Sequence, residues 1–309
     1  MPAPHVDADP VTASLVDRAL VAGTDDEALE LLAQAAERDG FARRHPTHWD
    51  DPIPNYSRLT ELHAALRLRA FDEEEAGDPR AAAETLLMAV RLGRLLKDGD
   101  SSVFDFMTGI SLMEPDALHA LALRHAQDLE LQAWLYDELG EVALERSGAR
   151  VFALDCRLTE GVFRDPPQDL MSQGILGPLL TYNPHDTVQW HRASCHADQD
   201  QLAEVWVERS NPVSPSYWDD AGLERWLHNP SGRMLLDTAT PDRTSLAARE
   251  DIVLTKLAGL RAVAGLRAGL EVDLTDPMGG TFMRDDRSVT SAHHGQRLAG
   301  TEDLDWPLQ

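Results

Sequence analysis

From Ser57 to Glu75 the apolar residues Leu59, Leu62, Leu66 and Ala70 recur at three- and four-residue intervals, the spacing that gathers them on one face of a helix. Gly77 stops that helix. Asp78 and Pro79 then supply an N-cap and a first helical residue for a second one, whose Ala83, Leu86, Leu87 and Val90 face inward as far as Leu96. The pattern predicts an antiparallel helical hairpin.

The same period runs through most of the chain. Residues 11–22 and 25–39 read as short helices, the second with Thr24 as N-cap and Asp25, Asp26 and Glu27 at the positive end of its dipole. Pro46, Pro52 and Pro54 enforce an extended connection around His45, His48 and Trp49. Ser101–Leu112, Pro115–Gln127 and Asp128–Phe163 carry the Leu, Ala and Met of packed helices, with breaks at Gly140 and Gly148. A Pro/Gly-rich stretch follows over 164–188, and helices resume near His185–Arg209 and Asp219–His228. Ser245–Leu270 has the clearest late pattern, a stripe of Val253, Leu257, Leu260 and Ala264 widened by Val263, Leu266 and Leu270. After Val272 the period changes: Asp276 to Gly280 is turn chemistry, Thr281–Arg284 alternates as a strand, Asp285 and Asp286 turn, and Ser288–Ser291 returns.

The expected fold is therefore mainly α, with a small C-terminal β-hairpin. Its helical hairpins are similar to tetratricopeptide units, but no second copy follows at the 34-residue period of such repeats. The expected division is 1–163, a connection at 164–188, a second helical region at 189–270 and the tail at 271–309, with one continuous helical domain as the alternative.

Charge excludes more than it selects. Against 53 Asp and Glu stand 28 Lys and Arg, a net charge of -25 that repels phosphate backbones and anionic headgroups, so nucleic acid and membranes are not expected partners. Two cysteines, Cys156 and Cys195, build no disulfide framework and no CxxC knuckle, which suits a reducing compartment. Leu15, Val16, Leu20 and Val21 are interrupted by Asp17 and Arg18, unlike a signal-peptide core, and no apolar run is long enough to span a bilayer. A cytoplasmic location is the expectation.

Asp276-Pro277-x-Gly279-Gly280, the strand pair, Ser291-Ala292-x-x-Gly295, Gly300-Thr301-Glu302-Asp303 and Trp306 together resemble the C-terminal region of the major pseudopilins of type II secretion. Similar tails end a group of uncharacterised bacterial helical proteins, in which a segment like Asn229-Pro230-Ser231-Gly232-Arg233-x-Leu235-Leu236, then a proline such as Pro241 and a long helix, precedes the tail. The resemblance implies a structural module, and in pseudopilins the region holds calcium. Here the matching turn reads His294-Gly295, an imidazole where calcium favours oxygen, leaving Asp303 and Asp305 as the remaining carboxylates, too few for the ion. A solvated acidic terminus is expected instead.

The most suggestive polar cluster is His185, His191, Cys195, His196 and Asp198, because these side-chain types ligate metals and His191 to Cys195 is one helical turn. His191 and His196 are five apart and point off a common face, and no HExxH, phosphate-binding glycine loop or nucleophile elbow occurs. His119, His125, His293 and His294 read as individual residues serving local structure. Glu73-Glu74-Glu75 opposes the dipole at a helix end, which calls for a basic neighbour such as Arg80 or Arg91. Two functions remain: a noncatalytic interaction or scaffold protein with a protein partner and no metal or cofactor, or a metal-dependent hydrolase-like enzyme with a site near His191 and His196.

Overall fold

Gly77 takes a φ of +87°, a left-handed value that glycine adopts without steric cost, and this reverses the chain after α3 (Tyr56–Glu75). Asp78 then accepts a hydrogen bond from the Ala81 amide at 2.9 Å, and Pro79 opens α4 (Pro79–Asp98). The computed structural model describes residues 10–23, 26–42, 55–99, 102–142, 145–164, 182–202, 243–295 and 304–308. His45, His48, Trp49, Thr24, the residues 165–181, the expected helix at Asp219–His228, and the Asn229–Leu236 and Pro241 motif lie outside those described. Within the described residues the chain is mainly helical, with a small three-stranded antiparallel sheet at its C-terminal end.

Two compact units emerge. The first holds α1 (Pro10–Ala22), α2 (Asp26–Ala36), α3, α4, α5 (Val103–Leu112), α6 (Asp116–Arg124) and α7 (Leu129–Glu141). It also takes in the chain from Arg249 onward. Its core joins Val16, Ala19, Leu32, Ala35, Phe41, Leu59, Leu62, Leu66, Leu92 and Leu96, all at most 1% exposed. Each buried leucine contributes about 1.5–3 kcal/mol relative to an exposed one. Ser102 and Asp105 start α5 with a reciprocal capping box.

The long helix α10 (Arg243–Arg267) shows where the stripe reading was too narrow. Leu254, Leu257, Leu260, Val263 and Ala264 are fully buried, but so are Glu250, Asp251, Thr255 and Lys256. Lys256 reaches Glu114 and Asp116, and Glu250 accepts from the Ser147 amide at 2.8 Å and from Lys97 at 3.3 Å. Lys97 is itself fully buried, and its ammonium also meets Asp98, Ser147 and the Glu145 carbonyl. Glu250, Asp251 and Lys256 of α10 thus mark ion pairs within the core rather than a wet face. Leu270, beyond the helix end, is 39% exposed and does not extend the stripe.

The tail is a meander: β1 (Met283–Arg284) pairs with β2 (Ser288–Thr290), and β2 with β3 (Asp305–Pro307), which places Trp306 opposite Val289. Asp285 tightens the first turn by accepting from the Arg287 and Ser288 amides at 2.7 Å. The third strand is an addition to the expected hairpin. Trp306 is 2% exposed and lies so close to α10 that a Cβ added at Gly259 would meet its ring at 2.5 Å. The strand thus buries Trp306 while Asp305 beside it stays exposed to solvent. Asp276 anchors the other end of the tail, accepting from Ser291 at 2.5 Å, Thr255 at 3.2 Å and the Met278 amide at 2.8 Å.

The second unit includes α8 (Gly148–Arg164) and α9 (Pro184–Leu202), which pack on each other. Asn183 caps α9 by accepting from the His185 and Asp186 amides at 3.1 and 3.3 Å, so the helix starts inside the stretch expected to be a connection. Phe152, Cys156 and Phe163 on α8, with Val188, His191, Cys195 and Leu202 on α9, are among its buried residues at helical spacing.

Candidate functional site

Helical periodicity directs Cys156 of α8 and Cys195 of α9 to the same contact, and they form a disulfide with Cα atoms 6.1 Å apart. This corrects the expectation that the two cysteines make no disulfide. A separation of 39 residues concealed the pair, since the spacing rules for cysteine motifs act over short distances. Closing a loop of that length corresponds to about 4 kcal/mol in the chain-entropy account of disulfide stabilisation.

His191 completes the cluster. It is 1% exposed, stands edge-on to the Phe163 ring at 4.8 Å between centroids, and donates from Nε2 to the Cys156 carbonyl at 2.9 Å. The Cys195 sulfur lies 3.4 Å from His191 Nε2 and 3.9 Å from Nδ1. Beside the three residues opens a cavity of about 380 Å³, also lined by Arg157, Glu160, Arg192 and His196. Arg192 grips Glu160 with two bonds of 2.8 and 2.6 Å, and this contact holds the Glu160 carboxyl below the ordinary glutamate range.

Of the residues singled out in the sequence, His191 and Cys195 come together. His196 is exposed at the cavity, and His185 is exposed and bonded to Gln189, so neither joins them. The Asp198 side chain is outside the described residues. Among the described residues, the one group with metal-ligand geometry is Cys156, His191 and Cys195, whose ligand atoms lie within 4.8 Å of one another. The missing member was Cys156, from another helix.

A second concave feature belongs to the first unit. A groove of about 490 Å³ runs between α2, α3, α4 and α7, with Leu29, Ala33, Ala36, Ala81, Met88 and Trp134 supplying apolar surface. Its charged lining is Glu30, Glu37, Glu73, Glu84 and Glu138 against Arg69 and Arg91. Arg69 is held by Glu73 at 2.9 Å and Arg91 by Glu138. Arg80, which lies 4.6 Å over the Trp134 ring, pairs with Glu84 at 3.3 Å. Glu30 and Glu37 are exposed and make no ion pair among the described residues. The groove lining thus combines apolar surface with an excess of carboxylates.

The other candidates serve structure. Glu74 does have a basic neighbour, but it is Arg124 at 2.6 Å with His125 at 3.0 Å, instead of Arg80 or Arg91. Bonding to Arg124 keeps the Glu74 carboxyl below its ordinary range. Burial, aided by the Arg267 charge, lowers the His119 pKa. His293 meets the Gly279 carbonyl at 3.1 Å within the tail, as expected for a residue satisfying local backbone. Asp305 accepts from Thr290 at 2.7 Å, while Asp303 is outside the described residues. Among the described residues no helix is long and apolar enough to cross a membrane. No family model matches the chain, and no curated protein or solved structure matches it either.

Proposed function

We propose that this is a noncatalytic helical interaction protein whose groove between α2, α3, α4 and α7 receives a lysine- or arginine-rich amphipathic helix of a partner protein. The observation that carries this reading is the lining of the groove: five carboxylates against two guanidinium groups, over Leu29, Met88 and Trp134. An amphipathic helix buries its apolar face in such a groove, and basic residues flanking that face meet the glutamates. Both internal arginines are already engaged by glutamates, which leaves Glu30 and Glu37 to attract a cationic partner. Nucleic acid and membrane surfaces remain outside this reading on charge. The tail is read as a structural module, the role its resemblance implies. A cytoplasmic location fits this reading if the Cys156–Cys195 pair is reduced there.

The test uses two synthetic amphipathic helices with one apolar face and either lysine or glutamate on the other, titrated calorimetrically into the full chain. The lysine peptide is expected to bind, with affinity falling as salt rises, and the glutamate peptide to give no heat. Glu30→Lys with Glu37→Lys is expected to weaken the lysine peptide at least tenfold. Glu271→Lys with Asp286→Lys, an equal change of charge on exposed tail positions, is expected to have little effect. Equal binding of both peptides, or equal weakening by both double variants, would refute the groove as the site.

A further inference from the structure

We propose that Cys156, Cys195 and His191, once the disulfide is reduced, form a binding site for one thiophilic divalent cation, zinc being the best fit, with a fourth position open to the adjoining cavity. The ligand set is two sulfurs and an imidazole, the soft and borderline donors that zinc selects, and all three side chains are buried. Tetrahedral zinc with bonds of about 2.3 Å to sulfur and about 2.0 Å to nitrogen places sulfur and nitrogen about 3.5 Å apart and two sulfurs about 3.8 Å apart. The Cys195 sulfur already stands 3.4 Å from His191 Nε2, the nearer of the two ring nitrogens. The remaining adjustments are separation of the two sulfurs, which cleavage of their bond permits, and release of Nε2 from the Cys156 carbonyl.

The imidazole borders the sulfurs through Nε2. In the disulfide form Nε2 donates to the Cys156 carbonyl at 2.9 Å, and in the metal form the ring carries its proton on Nδ1, so that Nε2 presents its lone pair to the ion. Cys156, His191 and Cys195 all line the cavity of about 380 Å³, which offers water or a small ligand a route to the fourth position. Glu160 lines the same cavity, but its bonds to Arg192 engage both carboxylate oxygens.

The chemistry balances with a dithiol as the reductant. Its two sulfurs join as a disulfide while the Cys156–Cys195 bond breaks, and its two hydrogens end on the protein thiols. Binding the cation then releases both protons to solvent, leaving two thiolates and a neutral imidazole on the ion. The same residues therefore alternate between a covalent staple and a metal clasp, according to redox state. This departs from the expectation of no metal, and from a site built on His191 and His196. It is independent of the groove.

Cobalt(II) provides the readout, because thiolate ligation gives an intense charge-transfer absorption that carboxylates and imidazoles do not. Full-length protein reduced with a phosphine is expected to bind one cobalt ion with that absorption, and equimolar zinc is expected to abolish it. Oxidised protein should show none. His191→Ala should retain thiolate absorption while binding cobalt at least tenfold more weakly, and Cys156→Ser should lose the two-thiolate spectrum. Absence of the absorption in reduced wild-type protein, its presence in oxidised protein, or unchanged affinity in His191→Ala would overturn the proposal. The wild-type comparison between redox states decides it even if a variant does not fold.

Discussion

Replacing Lys97 with methionine keeps the apolar stem and removes the ammonium from a core contact that joins α4 to α10. Lys97 is fully buried, and Glu250, one of its partners, is 2% exposed. The variant leaves Glu250 and Asp98 without their shared cation, and removing one partner of a buried pair costs about 3–5 kcal/mol. For a unit of this size that corresponds to a fall in Tm of roughly 6–20 °C. Glu250→Gln in the same chain removes one stranded charge and still accepts from the Ser147 amide, so the double variant should be more stable than Lys97→Met alone. Acidity supplies a second check. Burial already raises the Asp98 pKa, and loss of Lys97 raises it further, so a protonated Asp98 is favoured in the folded variant. Stability gained in this way grows as pH falls through the folded pKa, so the gap from wild type should narrow as the solution is made more acidic. Thermal and urea unfolding followed by circular dichroism would measure each quantity. A Lys97→Met cost below about 1 kcal/mol, or a gap that widens in acid, would refute the reasoning.

Three further outcomes follow from the same structure. Gly259→Ala should destabilise the chain by about 1–3 kcal/mol and shift tryptophan emission to the red, because the added Cβ displaces the buried Trp306 ring. The Glu74 carboxyl has a lowered folded pKa, so its contribution is present above the ordinary value of 4.5 and lost as pH falls through the folded value; Glu74→Gln should flatten the decline of Tm over that acid range. Burial pushes the Tyr182 phenol up to about 12, so ultraviolet titration should show a late phenolate step that Tyr182→Phe removes.

The sequence disclosed features whose causes are local. Gly77, Asp78 and Pro79 act within a few residues of one another, and the leucines of α3 need only the helical period to reveal the buried face. Asp285 and the alternation around it exposed the first hairpin for the same reason. Features that depend on distant partners stayed hidden. Lys97 and Glu250 are 153 positions apart, and each alone reads as a solvated charge. Trp306 belonged visibly to the tail motif, but its place against Gly259 depends on tertiary packing. The cysteine site was half legible: one helical turn gave His191 and Cys195, whereas Cys156 joins them only when α8 packs on α9.

The groove is the feature on which the interaction reading rests, and amide hydrogen exchange tests its location directly. The full chain is measured alone and saturated with the lysine-faced helix. Slowed exchange is predicted in Asp26–Ala36, the first part of α4 and Leu129–Glu141, the segments that carry Glu30, Glu84, Trp134 and Glu138, with Ser288–Thr290 unchanged. Protection confined to the tail or to α8 and α9, or no protection at saturation, would contradict it.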